Sequence, residues 1–395
     1  MEALYEIHTN LVEHTNAPVR RLLMDEIDWT DRLIGINGTR GVGKTTFLLQ
    51  FAKEHYGPHD RRCLYINMNN FYFQGRGIAD FAGDFVEGGG RVLLIDQVFK
   101  QPCWSSELRK CYDLYPELNI VFTGSSVMRL KDENPELNGI VKSYNLSGFS
   151  FREFLNLQTD LRLKPYSLEE ILANHEEIVK EILPKVTPTE YFRNYLHHGY
   201  YPFFLEHRNF SENLLKTMNM MTEVDILLIK QIELKYLTKI KKLFYLLAVD
   251  GPKAANISRL AHDIQTSRAT VMNYIKYLSD ARLINMIYPV GQDFPKKPSK
   301  VMMHNSNLMY AIYPIKVDEQ DMMETFFVNS LWKDHLVNQG SKELQYVVDG
   351  KHKFRICDAE SSRKIRYNPD TIYVHYHSEI GKDNQVPLWL LGFLY

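Results

Sequence analysis

Short, nearly continuous apolar runs alternate with stretches of helical period through the first third of the chain. Leu33 to Asn37, Cys63 to Met68, Val92 to Asp96 and Asn119 to Thr123 read as strands, and Ser143 to Leu146 as a fifth. Between them lie helical patterns, including Ser105 to Tyr115. This alternation predicts an α/β fold built on a parallel sheet covered on both faces. Past residue 150 the period becomes helical. Leu168 to Leu183 carries an apolar stripe, and Ser167 with Glu170 three residues on is a capping-box signature for its start. Tyr191 to Leu196 continues the pattern into His197, His198, Gly199 and Pro202. Adjacent histidines on an α-helix point about 100° apart, so they are not expected to share a metal.

Residues 239 to 290 show a different grammar. Lys241 to Val249 reads as a helix broken at Gly251-Pro252, and a second begins at Ile257. Thr266 and Ser267 cap a third, from Arg268 to Arg282, and Leu283 to Ile287 follows as a strand. Three helices and a strand in that order predict a winged helix, whose third helix enters the major groove when such modules bind DNA. Its candidate contacts are Arg268, Thr270, Asn273 and Lys276, with Lys296, Lys297 and Lys300 reaching phosphates from the wing. Asp263 and Asp280 dilute that basic patch, and winged helices also dock proteins, so both readings stand. Residues 301–321 form a connector. Met322 to Val337 reads as a helix, with strands near Leu344 to Val348, Phe354 to Cys357 and Ile372 to His375. The apolar stretch Val386 to Tyr395 is expected to dock into its own domain or a neighbouring protomer.

Candidate chemistry sits at the first strand's end. Gly38-Thr39-Arg40-Gly41-Val42-Gly43-Lys44-Thr45 is a P-loop, preceded by an apolar strand and followed by Thr46 and a helical pattern, the context the motif requires. Glycines let backbone N–H groups turn inward around a phosphate, and the next helix adds its N-terminus. Lys44 is placed to reach the β- and γ-phosphates and Thr45 to ligate Mg²⁺. Asp96 closes a buried-strand pattern at the position of a Mg²⁺-associated aspartate. Gln97 follows it. Thr123 and Ser125, at the end of the fourth strand, are either a polar turn or a sensor against the γ-phosphate. The ligands expected are therefore ATP or ADP with Mg²⁺.

Composition narrows the remaining choices. The 395 residues, 45% hydrophobic and 24% charged, are enough for two or three packed domains. A net charge of −1 gives no global basic field, so any nucleic-acid contact must be local. Cys63, Cys103, Cys111 and Cys357 show no metal-site spacing and read as reduced thiols of a cytoplasmic protein. Met1 to Glu6 lacks the apolar core of a signal peptide, and no run reaches the roughly 18 apolar residues of a membrane span.

Several stretches together resemble a bacterial and archaeal group of AAA-superfamily ATPases. They are Arg32 to Gly35 leading into the P-loop, Leu93 to Asp96 with Lys100 and Trp104, Phe122 to Ser126, Leu146 to Leu155, and the ending Pro387 to Tyr395. The resemblance implies an AAA-type P-loop core (1–150), a helical lid (151–235), a winged helix (236–300) and an α/β domain related to restriction endonucleases (301–395). It also exposes departures. Glutamate, which polarises the attacking water, usually follows the aspartate of additional-strand ATPases, and here Gln97 stands instead. A Ser-Arg-Arg run usually precedes Leu146, but Leu137 to Ile140 occupies that place, leaving Arg129 and Arg152 as nearby arginines with structural roles expected. In the tail Arg355 stands where an acid belongs, and Asp349, Asp358 and Glu324 are expected to be solvated acids without nuclease activity. These features favour tight ATP binding with slow turnover, coupled to DNA, an unknown protein partner or a second copy of the chain. An active motor and a scaffold that binds nucleotide structurally are the alternatives.

Overall fold

The computed structural model describes residues 1–128, 134–206, 209–227, 230–341, 344–358 and 366–395. Arg129 lies outside the described residues. The chain divides into two compact units, Met1–Ser147 and Gly148–Tyr395.

In the first unit five strands form one parallel sheet: β1 (Leu33–Gly38), β2 (Cys63–Asn67), β3 (Val92–Asp96), β4 (Asn119–Ser125) and β5 (Lys142–Asn145), in the order β2-β3-β4-β1-β5. Every residue of β3 is buried, as are all but the first of β4, which accounts for their uninterrupted apolar sequence. The helices Lys44–His55, Ile78–Glu87 and Trp104–Leu114 connect the strands. β1 pairs with both β4 and β5, so the loop leaving its carboxyl end starts from the interior of the sheet. This is the P-loop NTPase class of α/β fold, with a further α/β unit following it.

β2 is an edge strand, and the N-terminal helix Glu2–His14 covers it. The buried His8 accepts a hydrogen bond from the Tyr65 N–H through Nδ1 at 2.9 Å, satisfying a donor the missing neighbouring strand would have taken. Burial pushes the His8 imidazole down to about 4, so the ring stays neutral and able to accept.

The second unit gathers its helices and its sheet around one core. Phe151, Phe154, Phe192 and Tyr195 share a hydrophobic cluster with Phe326, Leu388, Trp389 and Phe393. The expected boundary between a helical segment ending at 235 and a tail beginning at 301 is therefore not a boundary between cores. Two capping boxes start its first helices, Ser150 with Glu153 on Phe151–Thr159 and Ser167 with Glu170 on Leu168–Ile182. The buried Arg152 donates to the carbonyls of Leu163 (3.1 Å) and Tyr395 (3.0 Å), tying the first of these helices to the chain's last residues. His197 and His198 lie in a π-helical turn, Tyr195–Gly199, which brings their Nδ1 atoms to 3.3 Å instead of splaying them apart. Among the described residues no cluster of three or more His, Cys, Asp or Glu side chains could hold a metal.

Helices Leu237–Asp250, Ile257–Asp263 and Arg268–Asp280 precede the antiparallel pair β6 (Ile284–Ile287) and β7 (Lys300–Met303). Beyond them lie helices Ser306–Ile312 and Glu319–Leu331. The second sheet, β8 (Val337–Gln339), β9 (Tyr346–Val348), β10 (His352–Cys357), β11 (Ile372–His375) and β12 (Gln385–Pro387), runs in the order β12-β11-β10-β9-β8. Leu388–Phe393 forms a wholly buried 3₁₀ segment, so the apolar ending packs within its own unit. The predicted helix to Val337 instead stops at Leu331, and a turn over 332–334 leads into β8 at Val337. All four cysteines are free thiols. Among the described residues no helix is long and apolar enough to cross a membrane.

Candidate functional site

The P-loop is shaped by its glycines. Gly41 and Gly43 take φ of 81° and 92°, in the left-handed region where a Cβ is penalised. Gly38 is required for a different reason: a Cβ there would lie 2.6 Å from the Leu146 carbonyl oxygen. Val42 is fully buried beneath the loop, and Thr39 nearly so, while Arg40 is partly exposed. Arg21 secures the base, its Nη1 donating to the Val42 carbonyl at 3.1 Å and its Nη2 to the Ser147 carbonyl at 2.7 Å. Gly43 offers no side-chain cap to the helix Lys44–His55, and the first amides of an α-helix have no acceptor within the helix itself.

Lys44 folds back over the loop. Its Nζ donates to the carbonyls of Gly38 (2.8 Å) and Thr39 (2.7 Å). Thr45 and Thr46 are exposed at the helix start. The Thr45 hydroxyl donates to Asp96 Oδ2 at 2.7 Å, bringing the two Mg²⁺-ligand candidates together across 51 residues of sequence. The carboxylate is 1% exposed, at the carboxyl end of β3.

Three further side chains donate to it. Tyr65 OH donates to Asp96 Oδ2 at 2.9 Å and Asn67 Nδ2 to the same oxygen at 3.3 Å. The Thr123 hydroxyl donates to Oδ1. Thr123 thus orients the aspartate. Ser125 Oγ, by contrast, accepts from the Val127 N–H at 3.4 Å within a local turn. Tyr65 and Asn67 escape a motif search because neither belongs to a motif. The usable signal was register: Asn67 lies beside Asp96 at the strand ends where ligands of such sheets gather.

Gln97 adopts φ 55°, ψ 46°, a left-handed conformation that costs a non-glycine residue roughly 1–2 kcal/mol. Its N–H donates to Asp96 Oδ1 (3.1 Å) and Thr123 Oγ1 (2.9 Å), which fixes the turn in place. Asn37, the residue before Gly38, has a buried Oδ1 with no hydrogen-bond partner, and Gly124 beside it leaves no room for a Cβ. An orphaned acceptor beside a glycine-lined loop suits a site that takes a polar ligand. The Thr45 hydroxyl and Asp96 carboxylate are hard oxygen donors of the kind Mg²⁺ prefers.

In the second unit the structure sorts the predicted DNA contacts. Arg268 and Asn273 are exposed on the helix Arg268–Asp280, and Lys296 and Lys297 are exposed on the loop between β6 and β7. Thr270 is engaged in the helix cap with Ser267, at 2.9 Å between hydroxyls. Lys276 is ion-paired with Asp280 one turn along. Lys300 is corrected outright. Its Nζ lies 3.1 and 3.0 Å from the Glu324 carboxylate oxygens, inside the fold, so it does not reach outward to phosphates. Glu324 is corrected with it: the side chain is buried, not solvated, and also accepts from Tyr346 OH at 3.3 Å. Asp349 is held by His335 Nδ1 (2.7 Å) and the Leu336 N–H (2.8 Å). Burial beside Glu324 and Asp318 pushes the Asp321 carboxyl up to about 6.

Sheet order, P-loop geometry and the Thr45–Asp96 contact define a nucleotide-binding P-loop domain. Residues 30–155 match the family model of an AAA domain, and residues 189–319 match that of a domain of unknown function. The chain is 29% identical over 300 residues to an uncharacterised protein of Methanocaldococcus jannaschii, covering 72% of this chain and 61% of that one. It thus spans about three-fifths of that relative's length. Two solved structures show weak likeness. PCH-2 of C. elegans has a TM-score of 0.24 at 15% identity over 40% of this chain and 44% of its own. A DNA polymerase III gamma subunit-related protein of Thermotoga maritima scores 0.28 at 14% identity over 70% and 98%. Scores this low carry no functional argument.

Proposed function

We propose that the protein binds ATP with Mg²⁺ at the P-loop, hydrolyses it slowly, and uses nucleotide state to control an interaction with DNA or a protein partner. The observation that carries the reading is the Thr45–Asp96 contact at the head of the P-loop, with an amide instead of a carboxylate next in sequence. Thr45 and Asp96 would hold the metal. A Mg²⁺ ion held there would supply positive charge against the phosphates. Lys44 exchanges the Gly38 and Thr39 carbonyls for phosphate oxygens, and the glycine-rich backbone supplies N–H donors. Gln97 orients an attacking water but cannot take its proton, because a side-chain amide is not a base.

Lys44→Ala is expected to weaken binding of a fluorescent ATP analogue about 100-fold, because it removes a charge-assisted contact while leaving the fold intact. Affinity within threefold of the unaltered protein would remove the P-loop from the proposal. Turnover near an ordinary enzymatic 1 s⁻¹ with Gln97 in place would favour the motor reading instead.

The exposed set Arg268, Asn273, Lys296 and Lys297 supports DNA as the partner for a winged-helix module. Arg268→Ala combined with Lys296→Ala and Lys297→Ala is expected to weaken duplex binding about tenfold or more and to flatten the slope of log affinity against log salt by about 3. An unchanged salt slope would leave protein docking as this module's role. The second sheet, and the Lys300–Glu324 pair between β7 and the helix Glu319–Leu331, are assigned a structural role.

A further inference from the structure

Asp96 is densely surrounded by donors. A carboxylate offers about four acceptor sites, and five protein donors converge on this one. Thr45, Tyr65 and Asn67 address Oδ2, while Thr123 and the Gln97 N–H address Oδ1. Thr45 can donate to Asp96 while its own oxygen ligates a metal, so that contact survives loading. Tyr65 and Asn67 contribute no ligand in exchange for the acceptor sites they fill.

Tyr65 is also difficult to displace. Its side chain is 3% exposed, its N–H is fixed by His8, and its hydroxyl takes a second contact from Asn67 Nδ2 at 3.4 Å.

We propose that Tyr65 and Asn67 are positioning residues that occupy Asp96 and uncouple nucleotide affinity from Mg²⁺, so that the protein holds ATP nearly as well without the metal. This rests on the P-loop reading above. The Tyr65 hydroxyl and Asn67 amide fill acceptor sites on Oδ2, so Asp96 would contribute only weakly to a metal held with Thr45.

The test measures affinity for a fluorescent ATP analogue in Mg²⁺ and in EDTA, using the full chain, Tyr65→Phe, Asn67→Ala and Lys44→Ala. The full chain should lose less than about threefold on chelation. Tyr65→Phe keeps the ring and removes only the donor. Its loss on chelation should rise to about tenfold, the scale of a hydrogen bond to a charged group. Asn67 is only partly buried, and Asn67→Ala should move the ratio the same way by a smaller factor. A tenfold loss in the unaltered chain overturns the inference, as does a Tyr65→Phe ratio no larger than that of the unaltered chain. Binding unaffected by Lys44→Ala, or no binding in either buffer, overturns the P-loop reading as well, and so separates the two failures.

Discussion

Gln97→Glu is expected to raise single-turnover ATP hydrolysis by about 10²–10⁴-fold, the usual contribution of a positioned general base. The two side chains are nearly isosteric, and the left-handed backbone at this position already supports a non-glycine residue. The N–H contacts to Asp96 and Thr123 are main-chain and persist in the variant. A carboxylate therefore enters in place, and the proton that the amide cannot accept has somewhere to go. ATP affinity should stay within a few-fold, since neither form is asked to touch the phosphates in the ground state. Rapid quench with γ-labelled ATP checks both numbers. If affinity holds but the rate does not rise, charge stabilisation is the missing element.

The second large effect concerns stability. Lys300→Met is expected to destabilise the second unit by about 3–5 kcal/mol, because it leaves the buried Glu324 carboxylate without its cation. Tyr346 OH remains as a partner, but one neutral donor does not replace an ammonium. The double variant Lys300→Met with Glu324→Leu should recover most of the loss, since a buried pair is often no better than apolar residues of similar volume. Thermal unfolding of the singles and the double closes the cycle. A Lys300→Met loss below about 1 kcal/mol would mean that water reaches the carboxylate.

Much of the first unit was legible in the sequence. Four of the five strands and the P-loop carry local signals: apolar runs, glycines at set spacing and an aspartate at a strand end; β5, Lys-Ser-Tyr-Asn, has no apolar run. The shell around Asp96 was less so. Tyr65, Asn67 and Thr123 converge only because β2, β3 and β4 lie side by side, and neighbour order is a long-range property. The helix Glu2–His14 was missed because its role, covering an edge strand through His8, depends on which strand becomes the edge. The second unit shows the converse error. Lys300 and Glu324 look like solvent-facing charges until β7 and the helix Glu319–Leu331 bring them together. Charge in a sequence does not reveal burial when its partner lies 24 residues away.

Arg21 acts as a rigid crosspiece. One planar guanidinium grips the carbonyl of Val42 in the P-loop and the carbonyl of Ser147, the last residue of the first unit. Because its nitrogens move as a single body, a rotation of the loop that stretches one bond must tilt the other. The last residue of the first unit is thereby tied to the glycine-rich loop through one buried guanidinium.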